Sequence, residues 1–291
     1  MARKIVYAIC AFCAIGSFAA CNRDNVHSVE MQNSCVQFHA RKMFPQAIRD
    51  CNKAVSLDPS NVQAQHALAM IYFETKEFAQ AARHLQKAIA LDPNTAVYHY
   101  QLGEAYEWME QYAQAEPELK RAIELDDTLY KAHYHLGRVY EKLDRPEEAM
   151  QKYTDALMKN GKFMDAYRDL GLLYISYSFL AQADQVFREG IKALDGRPDE
   201  VGEMYQWLGQ VLIEKKEYEA AIQELKKGLE LKPDMVDAMF NLGWAYSFTN
   251  KENAKIWLEK FIASANQKTR PDYVSAAGAR LAELQEGAVI Q

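Results

Sequence analysis

The chain has 291 residues, 49% of them apolar and 25% charged, with only 13 glycines and 8 prolines. That is the composition of a globular, helix-prone chain with few loop breakers. The formal charge is −6, and without residues 1–20 the balance is 32 basic against 40 acidic. No block of Lys and Arg offsets this, which argues against nucleic acid as a partner, because phosphates call for clustered cations.

The N-terminus reads as a targeting segment. Arg3 and Lys4 precede sixteen uncharged residues, 5–20. The run is shorter than the ~20 apolar residues of a membrane span, so residues 1–20 are predicted to be a signal peptide. It ends in Phe18-Ala19-Ala20-Cys21. This resembles the bacterial lipobox, although Phe18 stands where that family usually has Leu. The resemblance implies that Cys21 is lipidated and becomes the N-terminus, with residues 21–27 forming a lipid-bearing linker. Asn22, rather than Asp, follows the cysteine. That pattern implies the outer membrane, with the chain on its periplasmic face. The alternative is cleavage near Ala19 or Ala20 and a soluble periplasmic protein.

The rest of the chain repeats. Leu102-Gly103-Tyr106, Leu136-Gly137-Tyr140 and Leu170-Gly171-Tyr174 place their glycines 34 residues apart. Leu68-Ala69-Tyr72 precedes them by one period, and Leu208-Gly209-Leu212 and Leu242-Gly243-Tyr246 follow. The step from Gly171 to Gly209 is 38 residues, so four are inserted. Twelve residues beyond each small residue comes Ala81, Ala115, Ala149, Ala183 or Ala221, and four later Leu85, Leu119, Tyr153, Phe187 or Leu225.

These places match the tetratricopeptide repeat, whose period and motif they share. The resemblance covers residues 28–268 as seven repeats: 28–61, 62–95, 96–129, 130–163, 164–201, 202–235 and 236–268. The first is degenerate, with Ser34-Cys35, Phe38, Ala47, Cys51 and Ala54 in the motif places. Val274, Ala277, Leu281 and Leu284 then predict an amphipathic capping helix within residues 269–291. The implied fold is all-α, a right-handed solenoid of helical hairpins. Small residues let paired helices approach, and large ones fill the space between hairpins. Asp144 before Pro146 predicts a helix start. Pro117 falls within a second helix and is predicted to bend it. The insert around Asp195-Gly196-Arg197-Pro198 is predicted to lengthen a link or the helix after it.

In this family the first helix of each repeat lines a concave groove. Carried onto this chain, the groove places hold His66, Met70, Phe73, Tyr100, Glu104, Trp108, Lys131, Tyr134, Arg138, Arg168, Leu172, Gln206, Gln210, Phe240 and Trp244. Such a surface is rich in aromatics with a basic centre, the residue types that anchor protein interfaces. Phe248 and Trp207 are assigned to packing. The Lys and Asn places with which some repeats clamp a C-terminal carboxylate hold Gln32 and Val36, or His66 and Met70. A cytosolic chaperone is therefore not the implied partner.

No catalytic residues are predicted. The chain lacks a phosphate loop, a Gly-x-Ser-x-Gly elbow and His-Glu-x-x-His. No metal, cofactor or small-molecule substrate is expected either. His99 and His133 share one repeat place usually held by a packing aromatic, and His135, two residues on, falls on another helix face. Cys35 and Cys51 fall on opposing helices of the first repeat, at places that face one another. In an oxidising compartment they are placed for a disulfide, the alternative being two buried thiols.

The function implied is a lipid-anchored scaffold that binds another envelope protein and touches the membrane only through its anchor. Exported repeat lipoproteins with this layout resemble two groups. One, pilotin-like, assists assembly of the type IV pilus secretin; the other docks proteases or cell-wall enzymes. A chain that is nearly all repeats suits the first. A structural subunit of a surface machine is the alternative from another class.

Overall fold

The structure is a computed structural model and describes residues 24–265 and 271–285. The signal segment and Cys21 lie outside the described residues. Every regular element among the described residues is an α-helix. Two compact units divide the chain after Arg145. The first holds α1 (24–40), α2 (Phe44–Leu57), α3 (Val62–Glu74), α4 (Phe78–Leu91), α5 (Ala96–Trp108), α6 (Tyr112–Leu125) and α7 (Tyr130–Lys142). The second holds α8 (Pro146–Lys159), α9 (Met164–Ser176), α10 (Leu180–Ala193), α11 (Pro198–Glu214), α12 (Tyr218–Leu231), α13 (Val236–Tyr246), α14 (Lys251–Ser264) and α15 (Pro271–Gln285). Residues 24–27, expected in a linker, are already helical. Ser28 anchors this end: its hydroxyl donates to the Ala54 carbonyl and accepts from the Asn61 amide, each at 2.9 Å.

Within each unit, helices that follow one another pack as hairpins. The close approach rests on one pair of places. A Cβ on Gly103 would lie 2.5 Å from Leu119 Cγ and 3.3 Å from the Ala115 carbonyl. Gly243 likewise faces Leu258, at 2.8 Å. Only a bare backbone leaves room for these leucines, both fully buried. Cys35 and Cys51 occupy the same two places in the first hairpin, sixteen residues apart, and there they form a disulfide with Cα atoms 5.2 Å apart.

The turns inside the hairpins also repeat. Lys42, Lys76, Glu110, Asp144, Ser178 and Lys216 all adopt left-handed backbone, with φ from 57° to 61°. The helix start expected where Asp144 precedes Pro146 is found there: α8 begins at Pro146, whose fixed φ suits a first turn, and Asp144 is the turn residue before it. Between hairpins the side chains of Asp58, Asp126 and Asn160 accept from the backbone two residues on. Helix α6 continues unbroken through Pro117. The four inserted residues lengthen α11 to 17 residues, against 13 in α3, α5, α7 and α9. The capping segment forms α15, which buries Ala277 and Leu284.

Candidate functional site

In the first unit the predicted groove residues come from α3, α5 and α7. His66 Nε2 lies 2.7 Å from Gln101 Oε1, and the other half of that amide donates to Met70 Sδ at 3.0 Å. The His66 ring also leans on Tyr98, with centroids 4.9 Å apart. Burial holds the His66 imidazole below its ordinary pKa, the Gln101 hydrogen bond opposing this in part. His66 and Met70 are thus fastened to the neighbouring helix rather than free to reach a partner. Phe73 meets Phe78 edge-on, and Phe78 stacks on Trp108 at 5.5 Å and 7°. Trp108 remains 53% exposed, with the Arg138 guanidinium 6.0 Å above its ring. A large exposed indole held rigid on one face is a ready anchor.

Next to Trp108 in the chain, Glu107 centres a buried ionic group. Glu107, 7% exposed, accepts from His135 Nδ1 at 2.6 Å and from Arg138 Nε at 2.8 Å. This joins α5 to α7 and fixes Arg138. Tyr100 packs against His135 at 5.6 Å. Burial, and then the neighbouring Glu104 carboxylate, push the Tyr100 phenol well above its ordinary range, so it stays a hydrogen-bond donor. Lys131 is exposed and Glu104 half-buried. Tyr134, predicted to face a partner, is 5% exposed and packs edge-on to His135. The expected basic centre is also muted, because carboxylates hold both arginines: Arg138 by Glu107, and in the second unit Arg168 by Asp165 and Asp169.

The second unit presents its own face, from α11, α13 and α15. An open cavity of about 420 Å3 is lined by Trp207, Ile213, Phe240, Trp244, Tyr273 and Ala276 on the apolar side. Gln206, Gln210, Glu214, Asp237 and Asn241 line it on the polar side. Of the predicted residues, Gln210, Phe240 and Trp244 meet here. Gln206 lines the wall but is 7% exposed, buried by packing. Leu172 and Arg168, on α9, are half-buried outside this cavity. Trp207, assigned to packing, instead lines the cavity. Helix α15 supplies the third wall: Tyr273 stands edge-on to Phe240 at 4.9 Å. Arg280 donates to Ser247 Oγ at 2.9 Å and lies over Trp244 and Phe248. Phe248 stacks on Tyr218 at 4.3 Å, in packing as expected.

The chemistry of the cavity is that of gripping. Side-chain amides both donate and accept, which matches an extended backbone, and the aromatics take an apolar side chain. The histidines His99 and His133 are engaged by the chain itself. His99 meets Glu118 at 2.7 Å and the Pro93 carbonyl at 3.1 Å, and His133 Nε2 faces the Asp127 carbonyl at 3.1 Å. Among the described residues, no group of three or more His, Cys, Asp or Glu is placed to hold a metal ion.

Family models agree with the repeat. One described as "TPR repeat" matches residues 69–108 and 209–247, and one described as "Tetratricopeptide repeat" matches 100–165. Among solved structures, a MamA protein is 26% identical over 57% of this chain and 91% of its own, with a TM-score of 0.54. PilF of Pseudomonas aeruginosa is 18% identical over 74% of this chain and 96% of its own, at 0.59. The C-terminal part of a TPR repeat-containing protein from Cytophaga hutchinsonii is 14% identical over 81% and 97%, at 0.68. The likeness to the last two is one of fold. No curated protein sequence matches the chain.

Proposed function

We propose that this chain, in which tetratricopeptide-repeat models match residues 69–165 and 209–247, is a scaffold that holds a segment of another protein. The observation that carries this is the open cavity between α11, α13 and α15, where aromatics and side-chain amides converge. Its occupant is an extended segment with an apolar side chain seated between Phe240, Trp244 and Trp207. The exposed Trp108, backed by Phe78 and Arg138, gives the first unit an anchor of its own.

The narrower reading adds place and process. A lipid on Cys21 tethers the chain to the periplasmic face of the outer membrane, and the complex it assembles is the secretin of type IV pili. What supports this is the lipobox-like Phe18-Ala19-Ala20-Cys21 and a chain that is almost wholly repeats.

Two experiments test the two levels. A photo-crosslinking residue at Gln210, in solubilised envelopes, is expected to capture a defined partner, and Asn241→Ala with Trp108→Ala to reduce its recovery. Equal recovery with and without the substitutions sinks the binding reading. Mass spectrometry of the mature N-terminus tests the tether: acyl chains on Cys21 are expected, and a free amine at residue 20, 21 or 22 refutes it.

A further inference from the structure

Helix α1 has two faces, and hairpin packing uses one. Ser28 and Cys35 are fully buried on that face, hydrogen-bonded to Ala54 and disulfide-bonded to Cys51. The opposite face is apolar and open. Val26, Val29 and Val36 are 55%, 45% and 49% exposed. Asn33 and Ala40, on the same stripe, are exposed as well.

The stripe runs 26, 29, 33, 36, 40, in alternating steps of three and four. This is the heptad seam of helices that pair along their length, with Val26, Asn33 and Ala40 at a places and Val29 and Val36 at d places. An Asn at a central a place costs stability but pairs with its own copy across a two-fold axis and fixes the register. The flanking places agree. In a parallel pair Asn25 of one helix meets Glu30 of the other, and Gln32 meets Gln37. No like charges face each other.

We propose that α1 docks in parallel against α1 of a second copy of this chain, along the Val26–Ala40 stripe. Asn33 favours a second copy over a lipid surface: in hydrocarbon its amide goes unsatisfied, whereas across the axis two amides satisfy each other. The interface is isologous, so one stripe serves both partners. Helix α1 spans only about 25 Å, which places the contact near the ~1,000 Å2 lower bound for a specific interface. The dimer is therefore weak in dilute solution and strengthened wherever copies are concentrated on one surface. A parallel pair also brings both residue-24 ends to the same side.

The test is sedimentation velocity of the purified chain from low to several hundred micromolar, wild type against Val29→Glu with Val36→Glu. Reversible dimerisation, weakened at least about tenfold by the substitutions with far-ultraviolet dichroism unchanged, is the expected result. Asn33→Val, which leaves the fold's packed face untouched, is expected to tighten association and admit other oligomers. Val29→Cys is expected to cross-link to itself above the wild-type background. Preferential linkage of Val29→Cys to Val36→Cys would show an antiparallel pair and overturn the arrangement proposed. A chain that stays monomeric throughout, or a dimer indifferent to the glutamates, overturns the interface itself. So does a monomer whose binding to phosphatidylethanolamine–phosphatidylglycerol vesicles is lost in the double variant, since the stripe would then serve a membrane.

Discussion

Replacing Gly103 by alanine should destabilise the protein, while the same change at Gly278 should stabilise it. Both glycines lie in helices, where Ala is favoured over Gly by about 0.8–1 kcal/mol. At Gly278 in α15 nothing lies within 4 Å of the new Cβ, so that preference is felt in full. At Gly103 the new methyl would sit 2.5 and 2.8 Å from Leu119 Cγ and Cδ2. Leu119 is fully buried, and the Ala115 carbonyl behind it, 3.3 Å from the methyl, is backbone and cannot swing aside. Overpacking of this kind costs about 1–3 kcal/mol. Set against the helix preference, Gly103→Ala should lose about 0–2 kcal/mol. Chemical denaturation followed by dichroism reads the difference as midpoint shifts of opposite sign. If Gly103→Ala gains stability as Gly278→Ala does, the hairpin is not closed at Gly103 and the packing argument fails.

Three further outcomes follow from the geometry. His84 is half-buried beside Tyr72 and Gln65, and burial, with Lys87 and Arg83 adding to it, lowers its pKa to about 4. Its folded pKa lies below the unfolded value of 6.5, so the neutral ring's contribution is complete above pH 6.5 and is lost as pH falls from 6.5 towards 4. Discounted for partial exposure, the loss is about 1–2 kcal/mol, and His84→Gln should flatten the fall in melting temperature over that window. Reducing the Cys35–Cys51 bond, which spans a separation of 16 residues, should cost about 3 kcal/mol of first-unit stability, seen as a lower melting temperature with reductant and none in Cys35→Ala with Cys51→Ala. Ser178→Gly should gain about 0.5–1 kcal/mol, since an L residue now holds φ at 60°; a loss on denaturation would show that the serine side chain matters more than its backbone.

What could be read from the residues was whatever the 34-residue period carries. Helix pairing, the small residue at Gly103, the Cys35–Cys51 juxtaposition and the length of α11 all follow from places within a repeat, whereas Leu119, expected between hairpins, packs against Gly103 inside one. What escaped depends on how side chains of neighbouring helices share space. Tyr134 and Gln206 hold groove places but are buried by His135 and by the α11 surroundings, which no spacing reveals. Trp207 and Tyr273 line the cavity, Tyr273 because α15 closes a wall. The left-handed turns were silent for another reason. Lys, Glu, Asp and Ser fill them where glycine would have marked the conformation, so their recurrence shows only in the backbone.

The disulfide has a mechanical consequence. In a stack of hairpins, tension applied at one end peels the terminal hairpin first, because that hairpin has a neighbour on one side only. Here the end nearest the N-terminus is the hairpin of α1 and α2, and Cys35–Cys51 bolts its two helices together at the point of nearest approach. A pull on residue 24 can therefore peel α1 from α2 only as far as Cys35. It passes across the bond to α2 and into α3, and the load is borne by the stack rather than by its outermost turn of chain.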